Sequence, residues 1–404
     1  MDRTRLNLGA YILQSYARTE KHICEVAESG LDFITCGLEY SDTKTLDLFY
    51  KNGLGAIVCG VLPGWWGGNG ENAGTMSKMN PLPLYEKAAE NFRDHPAVWG
   101  IDCGDEPSAL DFPHYGKIIE TVDRAFPNQF GYLNIYPNYA SYATNDAAAT
   151  VNQLGTKNYS EYIENYCRYV PTDYICFDFY CYSADVPKFY ENLRIVADAC
   201  RRTGRSLWIV LQLNSHREDY LLSADQLRFQ AYTALCFGAE TVIWACYTGG
   251  WWYHNALDES GNKTEQYEKL KTVNGELRAF SEAYFKFRRR ETYIVGGEDL
   301  RKSGIDSLRS LDIGWVRGLC AEGDRTLIVG DFERRDGEKD RALCVCAADD
   351  PSGRKKDEYL ITFETDAEKI CCRSAYGTVP VERSESGRCA IAVRTNEFIM
   401  ISAE

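Results

Sequence analysis

Along the first two thirds of the chain, short apolar runs alternate with longer stretches in which apolar residues recur every three or four positions. Runs of this length bounded by Gly, Asn, Asp and Pro read as buried strands, and the stretches between them read as helices. The pattern predicts strands over Leu6–Leu13, Asp32–Cys36, Gly55–Leu62, Val98–Cys103, Gln129–Ile135, Tyr174–Tyr180, Leu207–Leu213 and Thr241–Cys246, eight in all. They follow one another at about 25 to 45 residues, room for one strand–helix unit each. Ser223-Ala-Asp-Gln226 has the form of a capping box ahead of LRFQAYTALCFG, which ends on a glycine. Thr264 is placed to cap EQYEKLKTVNGELRAFSEAYFKF, where Leu270, Val273 and Leu277 keep helical spacing. Eight such units can close a (β/α)8 barrel, predicted here over residues 1–290. An open doubly wound sheet shares the alternation but ordinarily has a Gly-rich phosphate turn after its first strand, and LGAYILQSY has none.

Near RRRETYIVGGE the period changes. The remainder reads as short strands (TLIVGDF, ALCVCAA, EYLITFE, CAIAVRT, EFIMISA) separated by charged Gly/Asp turns such as ERRDGEKD. Without helical stretches between them, these predict a small antiparallel β-sandwich over residues 291–404.

Composition narrows the partners. The 404 residues carry a net charge of -14, which repels phosphate backbones and anionic lipid heads and so argues against nucleic acid and membrane surfaces. Most of the 16 cysteines lie inside apolar runs, as buried thiols do. Cys344-Val345-Cys346 and Cys371-Cys372 lack the spacing of a zinc site. The beginning, MDRTRLNLGAYILQSYARTEKH, has no uninterrupted apolar core of a signal peptide, and no run approaches the roughly 18 apolar residues of a membrane span. A reduced, cytoplasmic protein is expected, although a secreted chain trimmed of its signal would read the same. The oligomeric state is not legible.

In a (β/α)8 barrel, chemistry gathers at the C-terminal ends of the strands. The fourth strand ends in Ile101-Asp-Cys-Gly-Asp-Glu-Pro107. Strict alternation would put Asp102, Gly104 and Glu106 on one face and Asp105 on the other, with Gly104 leaving space beside Glu106 for a ligand. A carboxyl in a partly desolvated barrel mouth, close to other acids, has its pKa raised and can serve as a general acid. Asp178, within CFDFYCY, is a charge in the middle of an aromatic strand, costly to bury unless paired or functional.

HPAVWGIDCGDEP resembles the fourth-strand signature of the retaining barrel glycoside hydrolases, the clan that includes β-galactosidases and cellulases. RFQAYTALCFGAETVIWACYTGGWW, followed by ALDESGNKTEQYEKLKTVNGEL, is also similar to the last barrel unit of β-galactosidase-like enzymes. The resemblance spans roughly residues 5–290 and implies a glycosidase, acting on an oligo- or polysaccharide, that uses no cofactor and no metal. It makes Glu106 the acid/base. Two departures stand out. Asp105 occupies the place of the clan's Asn, which bonds the sugar 2-OH, and Asp can accept such a bond but not donate one. Gln212, in WIVLQLNSH, occupies the place of the nucleophilic Glu, and a carboxamide cannot form the usual glycosyl ester.

The second carboxylate is therefore open. Asp178 is the favoured candidate; Glu39, Glu218 and Asp219 are loop alternatives, and a substrate-assisted or inactive barrel also fits. Glu240 begins the eighth strand and belongs to the barrel bottom. The other strand ends offer Trp65 and Trp66 in PGWWGGNGEN, Asn134, Tyr180, Trp244 and Trp251 as sugar-holding groups, together with Asp105 and Gln212. Ser215-His216 lacks a G-x-S-x-G elbow, and five histidines without an H-x-H do not suggest a metal hydrolase. Gln212 keeps a second expectation open: a non-catalytic carbohydrate-binding barrel.

Overall fold

The computed structural model describes residues 1, 4–142, 152–249, 252–297, 307–323 and 325–403. Eight parallel strands close a barrel in chain order: β1 (Asn7–Tyr11), β2 (Phe33–Glu39), β3 (Gly55–Cys59), β4 (Val98–Asp105), β5 (Phe130–Ile135), β6 (Tyr174–Phe179), β7 (Ser206–Gln212) and β8 (Ala239–Ala245), with β8 pairing back onto β1. All eight lie where the apolar runs predicted them. Between them run α1 (Glu20–Glu28), α2 (Thr43–Lys51), α3 (Met76–Met79), α4 (Leu82–Ala89), α5 (Phe112–Ala125), α6 (Tyr159–Tyr169), α7 (Val186–Thr203) and α8 (Ala224–Cys236), and α9 (Glu265–Tyr284) follows β8. The capping box at Ser223–Gln226 is formed in full, and Thr264 accepts the backbone N–H of Gln266.

The barrel is filled by inward-facing side chains from alternate positions. Phe33, Ile57, Tyr132, Tyr174, Cys176, Trp208, Val210 and Ile243 form one buried cluster, in which Tyr174 and Trp208 stack with centroids 4.0 Å apart. Outward-facing partners such as Leu133, Ile135, Phe177 and Leu211 pack under the helices.

After α9 the chain forms two further sheets. The larger has seven strands: β9 (Phe287–Val295), β10 (Ser307–Leu308), β13 (Leu327–Arg334), β14 (Arg341–Ala347), β16 (Ile370–Ser374), β17 (Gly377–Val379) and β20 (Phe398–Ala403). The smaller has five: β11 (Leu311–Ile313), β12 (Val316–Ala321), β15 (Glu358–Glu364), β18 (Glu382–Arg383) and β19 (Arg388–Arg394). The pairing is antiparallel except for β9 with β10. The sheets enclose Val329, Leu343, Val345, Ile399 and Ile401 from one side and Ile361, Phe363, Ile391 and Val393 from the other, which makes a sandwich. The larger sheet also turns Ile328, Phe332, Cys344, Phe398 and Met400 toward the barrel helices, so its central strands are apolar on both faces. α8, caught between barrel and sheet, has no polar face: of its residues only Ala224 and Arg228 are not buried. No helix among the described residues is long and apolar enough to cross a membrane.

Candidate active site

The C-terminal ends of β4, β5 and β6 bring three acids and one amide together. Asn134 sits on the inward face of β5, above Tyr132, and Asp178 on the inward face of β6, above Cys176. Asn134 Nδ2 donates to Asp105 Oδ1 at 3.0 Å and to Asp178 Oδ1 at 2.8 Å. Glu106 shares a side-chain hydrogen bond with Asp178, and its backbone N–H donates to the carbonyl of Asn134 at 3.0 Å.

The alternation expected for β4 does not hold. The register against β5 shifts between Asp102 and Gly104, a β-bulge that takes in one extra residue, so Asp102 and Asp105 both face the barrel interior. Glu106, at φ +45°, then turns back toward Asp178. Gly104 is at φ +149°, a conformation suited to glycine, and a Cβ there would stand 2.7 Å from the Tyr115 hydroxyl. The space beside Gly104 thus belongs to the Tyr115 ring rather than to a ligand.

Among the described residues no basic side chain balances these acids. Burial holds Glu106 well above the ordinary carboxylate range, reinforced by the charges of Asp178 and Asp105 and by the hydrogen bond to Asp178. Burial and the charge of Asp105 push Asp178 up to about 7 against the hydrogen bonds it accepts, and the same two causes push Asp102 up to about 7. Asp105 is also raised by burial: solvent reaches it from the mouth, but protein encloses it on its other sides, and the Asn134 amide works against the shift. Among the described residues no group of three or more His, Cys, Asp or Glu side chains is arranged to hold a metal ion.

The remaining strand-end residues fall into three groups. Tyr180 is at the mouth, its ring edge-on to Trp252 at 4.9 Å, and Trp252 in turn stacks on His216 at 3.7 Å. Tyr180, His216 and Tyr139 line a cavity of about 540 Å³. The loop after β3 also reaches the mouth, where Gly68 accepts a hydrogen bond from Tyr136; of its two tryptophans, Trp65 packs on the core and Trp66 is 59% exposed. Two residues turn elsewhere. Gln212 accepts the backbone N–H of Tyr182 (3.1 Å) and donates to Ser183 Oγ (3.3 Å), so its amide is spent holding the loop after β6. Trp244 is on the outer face of β8, with Nε1 donating to Asn274 of α9. Trp251 lies outside the described residues.

The loop acids stand apart from the cluster. Glu39 is exposed and accepts from Ser41, Asp219 is paired with Arg217, and Glu218 is exposed. Glu240 is at the opposite end of the barrel, bonded to Ser206 and Arg335 beside a separate cavity of about 590 Å³. Sequence reasoning passed over Tyr139; an aromatic just past a strand end is the signal that could have found it.

Fold and mouth together define a (β/α)8 barrel with a cluster of carboxyls joined through Asn134 at the C-terminal ends of its strands. No family model and no curated protein matches this chain. Among solved structures it is similar to a glucosidase from Croceicoccus marinus (10% identity, 99% of this chain and 96% of that one, TM-score 0.46). It is also similar to a glycoside hydrolase family 5 mannosidase from Rhizomucor miehei (10%, 67% and 93%, 0.49) and to xylanase 10B from Thermotoga maritima (14%, 67% and 95%, 0.44).

Proposed function

We propose that this chain is a metal-independent glycoside hydrolase in which Glu106 is the general acid and Asp178 the second carboxylate. The observation that carries the reading is the pairing of the Glu106 and Asp178 carboxyls at the barrel mouth, with Asn134 Nδ2 clamping Asp178 at 2.8 Å. An acid that keeps its proton at neutral pH beside an acid that can release one is the division of labour glycosidic cleavage needs. Glu106 gives its proton to the leaving oxygen as the anomeric C–O bond breaks. Asp178 faces the positive charge that develops at the anomeric carbon; water adds there, its oxygen becoming the product hydroxyl and its released proton returning through the carboxyl pair to Glu106. Gln212 takes no part, since its polar atoms already serve the loop after β6.

Asp105 and Tyr180 flank the reacting centre, and the exposed Trp66 and the aromatic cavity offer surfaces for further sugar rings.

The test is hydrolysis of a panel of aryl glycosides and oligosaccharides. Glu106→Gln should lower kcat/KM by about 10²–10⁴ on substrates with poor leaving groups and much less on dinitrophenyl glycosides, which leave without a proton. Asp178→Asn should be crippled on both. Hydrolysis that survives both substitutions would refute the assignment. If the wild type binds sugars yet cleaves none, the barrel is a carbohydrate-binding protein instead.

A further inference from the structure

We infer that Asn134 sets the proton order of the carboxyl cluster: by donating to Asp178 and Asp105 at once it holds both as acceptors and leaves Glu106 as the member that carries the proton. Its consequence for catalysis rests on the glycosidase reading; the placement of the proton does not.

The geometry is that of one amide nitrogen serving two acids, at 2.8 Å and 3.0 Å. A carboxamide NH2 has two hydrogens to give and nothing to accept with, so an acid facing it is favoured as the anion. The Cys176 thiol orients the amide: it donates to Asn134 Oδ1 at 3.6 Å, which leaves the NH2 for the two acids. Asn134 is 3% exposed, so water does not compete for these bonds. Glu106 has no equivalent donor: among the described residues its carboxyl is hydrogen-bonded to Asp178 alone. Asn134 also fixes the backbone of Glu106 through its own carbonyl. It thus touches all three acids, two as a donor and the third through the main chain.

The other groups facing the cluster leave this order intact. From β4 comes Asp102; from the segment after β5, Tyr136 and Tyr139; from the end of β6, Tyr180. Tyr11 of β1 and Cys36 of β2 face Asp105, Cys176 of β6 faces Asp178 and Asp105, and Tyr159 and Tyr162 of α6 face Asp178 and Glu106. All of these are neutral acids or carboxyls. His216, beyond Tyr180, is held below its usual pKa by burial. None brings a cation that could draw the proton away from Glu106.

Asn134 is on this view a positioning residue, and infrared difference spectroscopy of the whole protein across pH tests it without any substrate. At pH 8, above the value of about 7 for Asp178, Glu106→Gln should delete a neutral-carboxyl C=O stretch, whereas Asp178→Asn should delete chiefly carboxylate intensity. Asn134→Ala removes the donors, and Asn134→Asp replaces them with a further acid of the same shape; both keep the backbone contact to Glu106. In each, the cluster should hold its neutral-carboxyl band to a pH higher by about one unit or more. The acidic limb of kcat/KM should move up by the same amount, because Asp178 has lost the bond that favoured its anion. A purely structural role would depress activity evenly at all pH and leave limb and band in place. The inference is overturned if Glu106→Gln deletes carboxylate intensity instead, or if neither Asn134 variant moves the band. A wild type that cleaves no glycoside sinks the glycosidase reading alone, since the infrared result still decides where the proton sits.

Discussion

Glu106 stands in a left-handed turn with its carboxyl buried against another carboxyl, an arrangement that costs stability and persists because the surrounding structure over-determines it. The sign of the pH effect follows from the raised pKa values. Below pH ~4, where the acids are protonated in both folded and unfolded chains, the cluster carries no charge penalty. As pH rises toward 7, the unfolded chain releases these protons while the folded one retains them, so stability falls through the folded-state value, about 7 for Asp178. Asp178→Asn and Asp102→Asn are accordingly expected to raise Tm above that of the wild type at pH 8 by a few degrees and to have little effect at pH 4, as scanning calorimetry at the two pH values would show. A carboxamide that loses Tm equally at both would mean that the acid is structurally paired rather than poised.

At the scale of the element, β4 is the strand that makes the site, through its bulge. Gly104→Ala is expected to cost at least ~2 kcal/mol, since the added Cβ meets both an unfavourable φ and the Tyr115 ring. Because the bulge aims Asp105 and Glu106, activity should fall by more than the folded fraction does; urea unfolding alongside steady-state kinetics separates the two. The strands themselves were legible because a barrel strand buried on both faces is a nearly continuous apolar run, as YICFDF and SLWIVLQ are. Asp178 was legible for the same reason, as the charge that interrupts such a run. The bulge was not. Alternation is the only rule a single strand offers, and the extra residue at Cys103 is specified by pairing with β5, whose register a sequence does not display. β9 was not among the predicted strands: Arg288, Arg289 and Arg290 interrupt its apolar run, and in the fold their charges meet Glu333, Asp198 and Asp331 across neighbouring elements. Trp244 and Gln212 were misjudged together: both lie at strand ends, but the partners that claim them, Asn274 on α9 and the loop after β6, are far away in sequence.

At the scale of the molecule, barrel and sandwich share one core. Phe398 of β20 meets Phe280 of α9 at 4.7 Å and Tyr232 of α8 at 5.4 Å between ring centroids. Around it, Tyr376 donates to Glu276, which also receives Arg228 and Tyr232. Phe398→Ala should cost about 3–5 kcal/mol. With the core continuous, the loss should appear in one cooperative transition, with near-ultraviolet dichroism and hydrogen exchange of the barrel strands moving together. Two separated transitions, with the barrel unaffected, would show the sandwich to be energetically independent.

The hydroxyl of Tyr182, two residues beyond Tyr180 and tied by its backbone to Gln212, donates to the carbonyl of Pro351 on the β14–β15 turn at 2.6 Å. The same turn lays Gly353 against the N-cap of α8 at Ser223 and Asp225. The sandwich therefore props the rim of the barrel mouth from behind. Such a domain cannot be exchanged freely: a chimaera carrying a foreign sandwich would inherit the barrel's acids but not the brace that sets the loop beside them. Residues 348–353 and 180–183 should accordingly be recombined and diversified as one block.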